Sequence, residues 1–268
     1  MQDKIPYYLL VTLLIAVGFG SAIYRHINLD IPWLPGETRE VWRVEARLEF
    51  TADGDAIVAQ MAIPETHPGF TLLEQATASP GYGLSYLTEE KRPAVRWSTQ
   101  QASGKQVLYY RAQFLLDDKQ DAGWPPPPDV SEPPILPDPI RLAAGRLIDQ
   151  AQQQSANQIT MAAQLINGLR SDDQQVQLLK QDRSLAAAAL LLMQLAEIPA
   201  REVTAIRLKH NRRNQDSLPY LMVYAEDQVA FFNLTNGKEG RPERLLIWEM
   251  EDQPLIDLEG GHNTRVSF

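Results

Sequence analysis

The stretch AAAALLLMQLAEIPAREVTAIRL, from Ala186 to Leu208, decides the fold. Its helical part, Leu185–Ala196, is apolar on almost every side, and a helix without a polar face is normally buried in the centre of a domain. The turn Ile198-Pro-Ala-Arg201 ends that helix, because proline cannot continue it, and Glu202–Leu208 has the composition of a strand. We therefore predict a buried helix that leads directly into a sheet.

Helices are predicted before this unit and strands after it. Asp138, Ser155 or Asn157, and the segment Ser171-Asp-Asp173 each offer a capping side chain ahead of an apolar stripe at helical spacing. Three downstream segments rich in β-branched, aromatic and aliphatic residues are predicted strands: Leu221–Ala225, Gln228–Asn233 and Leu245–Met250. We assign residues 139–268 to one α+β domain.

Residues 41–117 are predicted to form a small β-sandwich. The segment VWRVEARLEF (Val41–Phe50) alternates polar and apolar residues with period two, which is typical of a half-buried strand. Turn-forming residues separate it from further short strands at about 8–12-residue spacing. These strands are predicted at Ala56–Ile63, Phe70–Ala76, Gly83–Thr88, Ala94–Thr99 and Val107–Leu116.

Residues 118–138 are predicted to be a proline-rich linker between the two domains. This segment contains WPPPPDVSEPPILPD (Trp124–Asp138). Proline fixes φ and lacks a backbone donor, so the segment is expected to be extended and outside any sheet. Two interpretations stay open: a stiff spacer, or a docking segment for a partner. Trp124 either packs the segment down or marks a contact surface.

The N-terminal run IPYYLLVTLLIAVGFGSAIY (Ile5–Tyr24) has no charged side chain. As a helix it would rise roughly 30 Å, which is the thickness of a hydrocarbon core. We predict a transmembrane anchor over residues 5–24 and a juxtamembrane segment over residues 25–40. A cleavable signal peptide is the alternative, but the run is longer than the usual ~7–15-residue apolar core of such peptides.

The composition excludes several kinds of chemistry. The chain has 268 residues, and its 34 acidic and 25 basic side chains give a net charge of −9. Nucleic acid is therefore not an expected partner, because phosphate contacts need a basic surface. The absence of cysteine removes disulfides, thiolate metal sites and cysteine nucleophiles. The four histidines lie far apart, and Asp257, Glu259 and His262 fit a turn better than a metal site, so we expect no cofactor and no metal.

The stretch Ala186–Leu208 resembles the signature of transglutaminase-like, papain-related domains. In that family a cysteine opens a buried helix, a GIPAR-type turn ends the helix, and a strand follows. Here Ile198–Arg201 matches the turn, and Glu197 takes the glycine position. Further on, LPYLMVYAEDQVAFFNLTNG (Leu218–Gly237) resembles the two strands that carry the family's histidine and aspartate. The resemblance implies a papain-like α+β fold.

The same resemblance indicates which catalytic groups are missing. By the family's spacing, the cysteine position falls on Asp182, the histidine position on Leu218 and the aspartate position on Asn233. A thiolate mechanism needs all three groups, so the resemblance implies a pseudoenzyme without a catalytic residue. Asp182 or Ser184 either substitutes for the nucleophile or caps the buried helix. Ser184 and Tyr220 would line a candidate cleft.

The chain as a whole resembles the bacterial family described as an inactive transglutaminase fused to seven transmembrane helices. Besides the anchor and the proline linker, the motifs that carry this resemblance are VWRVEARLEF, SPGYG (Ser79–Gly83), VLYYRAQF (Val107–Phe114) and DLEGGHNTRVSF (Asp257–Phe268). It implies a bacterial inner-membrane protein with a periplasmic soluble part, in a pathway with an ATP-grasp peptide ligase. Because the family's seven-helix bundle does not follow here, we expect this chain to be part of a longer protein.

Three functions are compatible with these features. The first, which we favour, is a membrane-anchored, catalytically inactive domain that recognises a peptide or protein partner and acts as a sensor. The second is a structural spacer for a membrane bundle, in which Leu218 and Tyr220 fill the old site. The third is a rewired hydrolase that uses Ser184 or Asp182 with a nearby base. The sequence carries no signal for the oligomeric state.

Overall fold

The computed structural model describes residues 5–29, 40–87, 93–117, 123–130, 132, 134–209, 215–225, 228–240, 245–249 and 254–268; within the first range, side chains are described for residues 10–24. The chain forms two compact units, Met1–Glu40 and Val41–Phe268. The predicted mixture of helices and strands is confirmed.

The first unit contains the helix α1 (Ile5–Leu29), so the helix predicted from the apolar run is confirmed. Its described side chains are exposed, apart from the half-buried Val11. Among the described residues, no helix is both long and apolar enough to cross a membrane. The anchor over residues 5–24 therefore stays a prediction. Residues 30–39 of the predicted juxtamembrane segment lie outside the described residues.

The described strands of the second unit form three antiparallel sheets. Their bounds are β1 (Val41–Asp53), β2 (Ile57–Ala62), β3 (Gly69–Ala78), β4 (Gly83–Leu87), β5 (Ala94–Thr99), β6 (Ser103–Asp117), β7 (Ala200–Arg207), β8 (Leu218–Ala225), β9 (Gln228–Asn233), β10 (Glu239–Gly240), β11 (Leu245–Glu249), β12 (Ile256–Glu259) and β13 (Gly261–Ser267). The sandwich has two sheets, in the orders β13-β1-β6-β3 and β12-β2-β5-β4. The third sheet has the order β10-β9-β8-β7-β11.

The alternation in VWRVEARLEF produces a two-sided strand, as predicted. Val44, Ala46, Leu48 and Phe50 of β1 are buried in the sandwich core, while the residues between them are less buried. β1 pairs with β6 along its whole length, so both long strands contribute every second side chain to the same core.

Helices α2 (Asp138–Gln153), α3 (Gln158–Gly168), α4 (Gln174–Lys180) and α5 (Leu185–Leu195) lie between the linker and the third sheet in the chain. The start of α3 is a capping box: Asn157 Oδ1 accepts from the backbone N–H of Thr160, and Thr160 Oγ1 accepts from that of Asn157. Asn157 is therefore the cap, and not the alternative Ser155.

The predicted cap of α2 at Asp138 is wrong. Pro137 holds the N-cap position, and no side chain caps the helix there. The Asp138 carboxylate instead accepts from Arg141 Nη2 at 2.6 Å, one turn further along the helix. Asp138 lies in the first turn, where its charge still suits the positive end of the helix dipole.

The end of the chain completes the sandwich. β12 pairs with β2, and β13 pairs with β1. Five apolar side chains of the described residues 254–268 pack against the sandwich core: Leu255, Ile256, Leu258, Val266 and Phe268. The predicted division into residues 41–117 and 139–268 places these strands with the second domain, although they belong to sheets of the first.

The third sheet also shares a core with the sandwich. Trp248 of β11 is buried, and its Nε1 donates to the carbonyl of Ala62 at 2.8 Å. Its ring contacts Tyr110 edge-on, with centroids 5.9 Å apart. Because one buried tryptophan serves both regions, residues 41–268 are held together as one compact unit.

Candidate functional site

The buried helix of the signature is α5, and Ser184 begins it. Ser184 Oγ accepts a hydrogen bond from the backbone N–H of Ala187 at 3.0 Å, which is the geometry of an N-cap. Six residues of α5 are buried, and the helix packs against β7 and β8. Ser184 therefore has a structural role as the cap of α5, and it lies close to the position where the family's nucleophile is expected.

The GIPAR-type turn ends α5 in a Schellman motif. The Ile198 N–H donates to the Met193 carbonyl at 2.9 Å, and the Glu197 N–H donates to the Gln194 carbonyl at 3.2 Å. Glu197 consequently has a left-handed backbone, with φ of 55°. Glycine adopts that conformation with the least strain, which is a physical reason for the glycine at this position in the family pattern.

Asp182, at the cysteine position, lies in the turn between α4 and α5. Its φ is 61°, and the turn is closed by a 3.1 Å bond from the Arg183 N–H to the Lys180 carbonyl. The side chain is exposed. Ser184, and not Asp182, caps α5, so the choice between these two capping residues is settled by the geometry.

The histidine and aspartate positions lie on neighbouring strands of the third sheet. Leu218 is the first residue of β8, and its partly buried side chain packs against an apolar cluster. Asn233 ends β9, is only 5% exposed, and its Oδ1 accepts from the Asn236 N–H at 3.0 Å. The Asn233 amide thus stabilises its own turn and does not orient another side chain through that oxygen.

Tyr220 and Ser184 are not brought together on one surface. Tyr220 is 2% exposed and belongs to the cluster on one face of β8, whereas Leu221 and Val223 pack with α5 on the opposite face. Tyr220 also lies so close to Gly240 that a Cβ there would be 3.0 Å from its ring. A ligand arriving from solvent could not reach this ring without displacing its neighbours.

The described histidines are engaged elsewhere. His67 Nε2 accepts from the Ile247 N–H at 3.1 Å, and His262 Nδ1 lies 2.8 Å from Asp53 Oδ1 in the sandwich. His210 lies outside the described residues. Within the described ranges, no group of three histidine, aspartate or glutamate side chains is arranged to hold a metal ion. The described residues therefore provide no imidazole base for Ser184.

The linker covers the sheet face that carries Tyr220. Trp124 stacks on the ring of His67, with centroids 5.6 Å apart, and contacts Phe231 of β9 at 5.2 Å. Arg201 Nη2 donates to the Pro126 carbonyl at 2.7 Å. Of the two interpretations of Trp124, packing of the linker against the domain is the one seen.

A groove of about 800 Å³ lies between α2 and α4, and the sequence interpretation missed it. α2 contributes Leu142, Ala143 and Arg146 to its wall. The α4 side carries Leu178, Lys180 and four glutamines: Gln174, Gln175, Gln177 and Gln181. Leu142 is 58% exposed, because it lies off the buried stripe of α2. Such an exposed leucine next to a glutamine-rich helix is the sequence signal that could have revealed the groove.

A solved structure has a similar fold. A crystal structure described as a "Putative Cysteine Protease from Cytophaga hutchinsonii" superposes with a TM-score of 0.53 and 13% identity, over 85% of this chain and 91% of that chain. At this identity the likeness concerns the fold alone. No curated protein matches this chain significantly.

The family is identified by a match in the N-terminal and middle parts of the chain. A family model described as inactive transglutaminase fused to 7 transmembrane helices matches residues 24–183, which is more than half of the chain. The match covers β1–β6, the linker and α2–α4, and it ends directly before Ser184. The word inactive agrees with the absence of cysteine. The chain therefore belongs to the family of inactive transglutaminases fused to seven transmembrane helices.

Proposed function

We propose that this chain is a non-catalytic recognition domain of a membrane protein, and that its ligand is a peptide or a segment of a protein partner. The observation that carries the proposal is the open groove between α2 and α4. Its volume of about 800 Å³ falls within the range of known ligand sites, roughly 300–1,000 Å³. The groove ends at Gln181, the residue before the degenerate cysteine position.

The recognition site is proposed in this groove and not in the former catalytic cleft. Tyr220 is buried, and Trp124 covers the same sheet face. Leu142, by contrast, presents an apolar side chain to solvent beside hydrogen-bonding glutamines. Apolar walls with a few polar groups are the usual composition of a binding site.

The membrane part of the proposal is a bacterial inner-membrane protein whose domain faces the periplasm, with residues 5–24 as anchor. The family's description and the uncharged run Ile5–Tyr24 support it.

Because the chain has no cysteine, a single Gln152→Cys variant on the exposed side of α2 would be labelled selectively. Labelling of intact spheroplasts by a membrane-impermeant maleimide is expected; labelling only after lysis would contradict the topology. Participation in a pathway with an ATP-grasp peptide ligase is part of the same proposal.

Recognition is tested by thermal unfolding of the whole chain in a neutral detergent, with a library of short peptides. A ligand at about ten times its Kd stabilises the native state by about 1.4 kcal/mol, which raises Tm by a few degrees. The groove variant Leu142→Glu should abolish the shift. Leu73→Glu is the matched control, since Leu73 is a similarly exposed leucine, at 53%, on β3. A shift that survives Leu142→Glu would place the ligand elsewhere.

A structural spacer is the second candidate. The observation that favours it is rigid linkage: Trp248 joins the third sheet to the sandwich, and Trp124 fastens the linker to the domain. This function predicts that no peptide shifts Tm, even at millimolar concentration. It also predicts that Leu142→Glu has no effect on the activity of the full membrane protein, because a spacer does not use the groove.

A further inference from the structure

The groove between α2 and α4 has a positive charge in an acidic protein. Arg146 and Lys180 line it, and none of the aspartates and glutamates that the structure describes does. Asp149 and Asp182, the acids nearest to these cations in sequence, are not among the lining residues. The whole chain has a net charge of −9, so a local excess of two cations distinguishes this groove from the average surface.

The polar wall of the groove is suited to a peptide backbone. Gln174, Gln175, Gln177 and Gln181 lie along one side. Each amide offers donors and an acceptor, which are the groups that an extended backbone presents in alternation. α4 has seven residues, a length of about 10 Å, and an extended peptide covers that distance with about three residues.

The apolar wall accepts one side chain. Leu142, Ala143 and Leu178 provide it, and Leu142 is exposed. A partner that buries this wall gains about 25 cal/mol per Å² of apolar surface removed from water. Arg146 and Lys180, which line the same groove, then favour carboxylates next to the buried side chain.

We propose that the groove binds an extended acidic peptide segment, in which one aliphatic side chain lies between two carboxylates. This proposal rests on the proposed recognition function and specifies its ligand. The aliphatic side chain packs on Leu142 and Leu178, the carboxylates pair with Arg146 and Lys180, and the glutamine amides bond to the peptide backbone. An anionic lipid headgroup shares the charge, but its phosphate accepts hydrogen bonds without donating any, whereas a peptide backbone can pair with both the N–H groups and the oxygen of each glutamine amide.

The test uses the whole chain in a neutral detergent at low salt and three capped peptides: Gly-Glu-Leu-Glu-Gly, Gly-Gln-Leu-Gln-Gly and Gly-Lys-Leu-Lys-Gly. Two partly exposed ion pairs should make the acidic peptide bind roughly tenfold more tightly than the neutral one, with most of the difference lost at high salt. The double variant Arg146→Gln, Lys180→Gln should remove that preference and leave the neutral peptide unchanged. Arg141→Gln is the control, because Arg141 lies on the same helix but pairs with Asp138.

Each outcome has a distinct meaning. Equal binding of all three peptides overturns the acidic ligand, and an acidic preference that persists in the double variant overturns the pairing with Arg146 and Lys180; either result leaves the recognition function intact. Absence of binding by these three peptides and by the whole peptide library at millimolar concentration overturns both proposals. Stronger binding of a monomeric short-chain phosphatidylglycerol than of the acidic peptide, with the same dependence on Arg146 and Lys180, overturns the peptide in favour of a lipid.

Discussion

Acidification should destabilise the second unit through His67. This side chain is 2% exposed, and burial lowers its pKa from 6.5 to about 4. Its hydrogen bonds explain why the neutral ring is required. Nε2 accepts from the Ile247 N–H, so the ring proton is on Nδ1, which lies 3.1 Å from the Pro68 carbonyl. A second proton on Nε2 would face the Ile247 N–H directly.

The size of the effect follows from the pKa. Between pH 6.5 and about 4 the unfolded chain binds a proton at this residue and the folded chain does not. The free energy of unfolding therefore falls as the pH drops through this window. At about 1.4 kcal/mol for each factor of ten, the loss from His67 is about 2 kcal/mol between pH 7 and pH 5 and about 3 kcal/mol by pH 4.

Urea unfolding, followed by tryptophan fluorescence at pH 7 and pH 5, measures this loss. His67→Gln should be less stable at pH 7 but should lack the contribution of His67 to the pH dependence. His262→Gln is the control, since His262 is exposed beside Asp53 and its loss should leave most of the dependence in place. The reasoning is refuted if His67→Gln shows the same drop between pH 7 and pH 5 as the unmodified chain.

Substitutions at four further positions, Gly145, Ser184, Glu197 and Gly237, test the backbone and the helix cap, and the urea midpoint measures each effect. Gly237→Ala should lower the free energy of unfolding by about 1–3 kcal/mol, because φ is 71° and the added Cβ would overlap Asn167 Oδ1. Gly145→Ala lies in open space within α2 and should instead raise the free energy of unfolding by about 0.5–1 kcal/mol. Equal effects of the two substitutions would contradict this reasoning. Glu197→Gly should stabilise by roughly 0.5–1 kcal/mol by relieving the left-handed strain, whereas a loss of stability would show that the glutamate side chain contributes more than the strain costs. Ser184→Ala should cost about 1 kcal/mol and Ser184→Asp much less, because aspartate retains the capping oxygen; equal losses would argue against a capping role.

Local patterns predicted the individual elements well. The period-two alternation from Val41 to Phe50 lies within β1, and the apolar segment at Leu185 became the buried helix α5. Both patterns are visible within one element, because each reports which side of that element is buried. The correspondence of Asp182, Leu218 and Asn233 to the family's catalytic positions stays a prediction from the family spacing; the structure shows the contacts of Leu218 and Asn233 and an exposed Asp182.

Long-range contacts could not be read in the same way. The strands β12 and β13 are separated from their partners β2 and β1 by roughly two hundred residues of chain, and no local feature identifies which edge they join. The contact of His67 with Ile247 spans 180 residues. The groove likewise depends on how α2 and α4 pack. Such arrangements follow from tertiary packing, which one-dimensional periodicity does not contain.

Two of the positions predicted from the family spacing, Leu218 and Asn233, are physically coupled. Leu218 and Asn233 lie diagonally on one sheet face, because Asn233 is opposite Tyr220 and Leu218 is two residues from Tyr220. With leucine in place of histidine, an aspartate at 233 would be a nearly buried carboxylate without an imidazole partner, which costs several kcal/mol. Asparagine keeps the oxygen that accepts from Asn236 and carries no charge. If Leu218 and Asn233 stand where the family has histidine and aspartate, folding stability favours asparagine over aspartate once the histidine is absent.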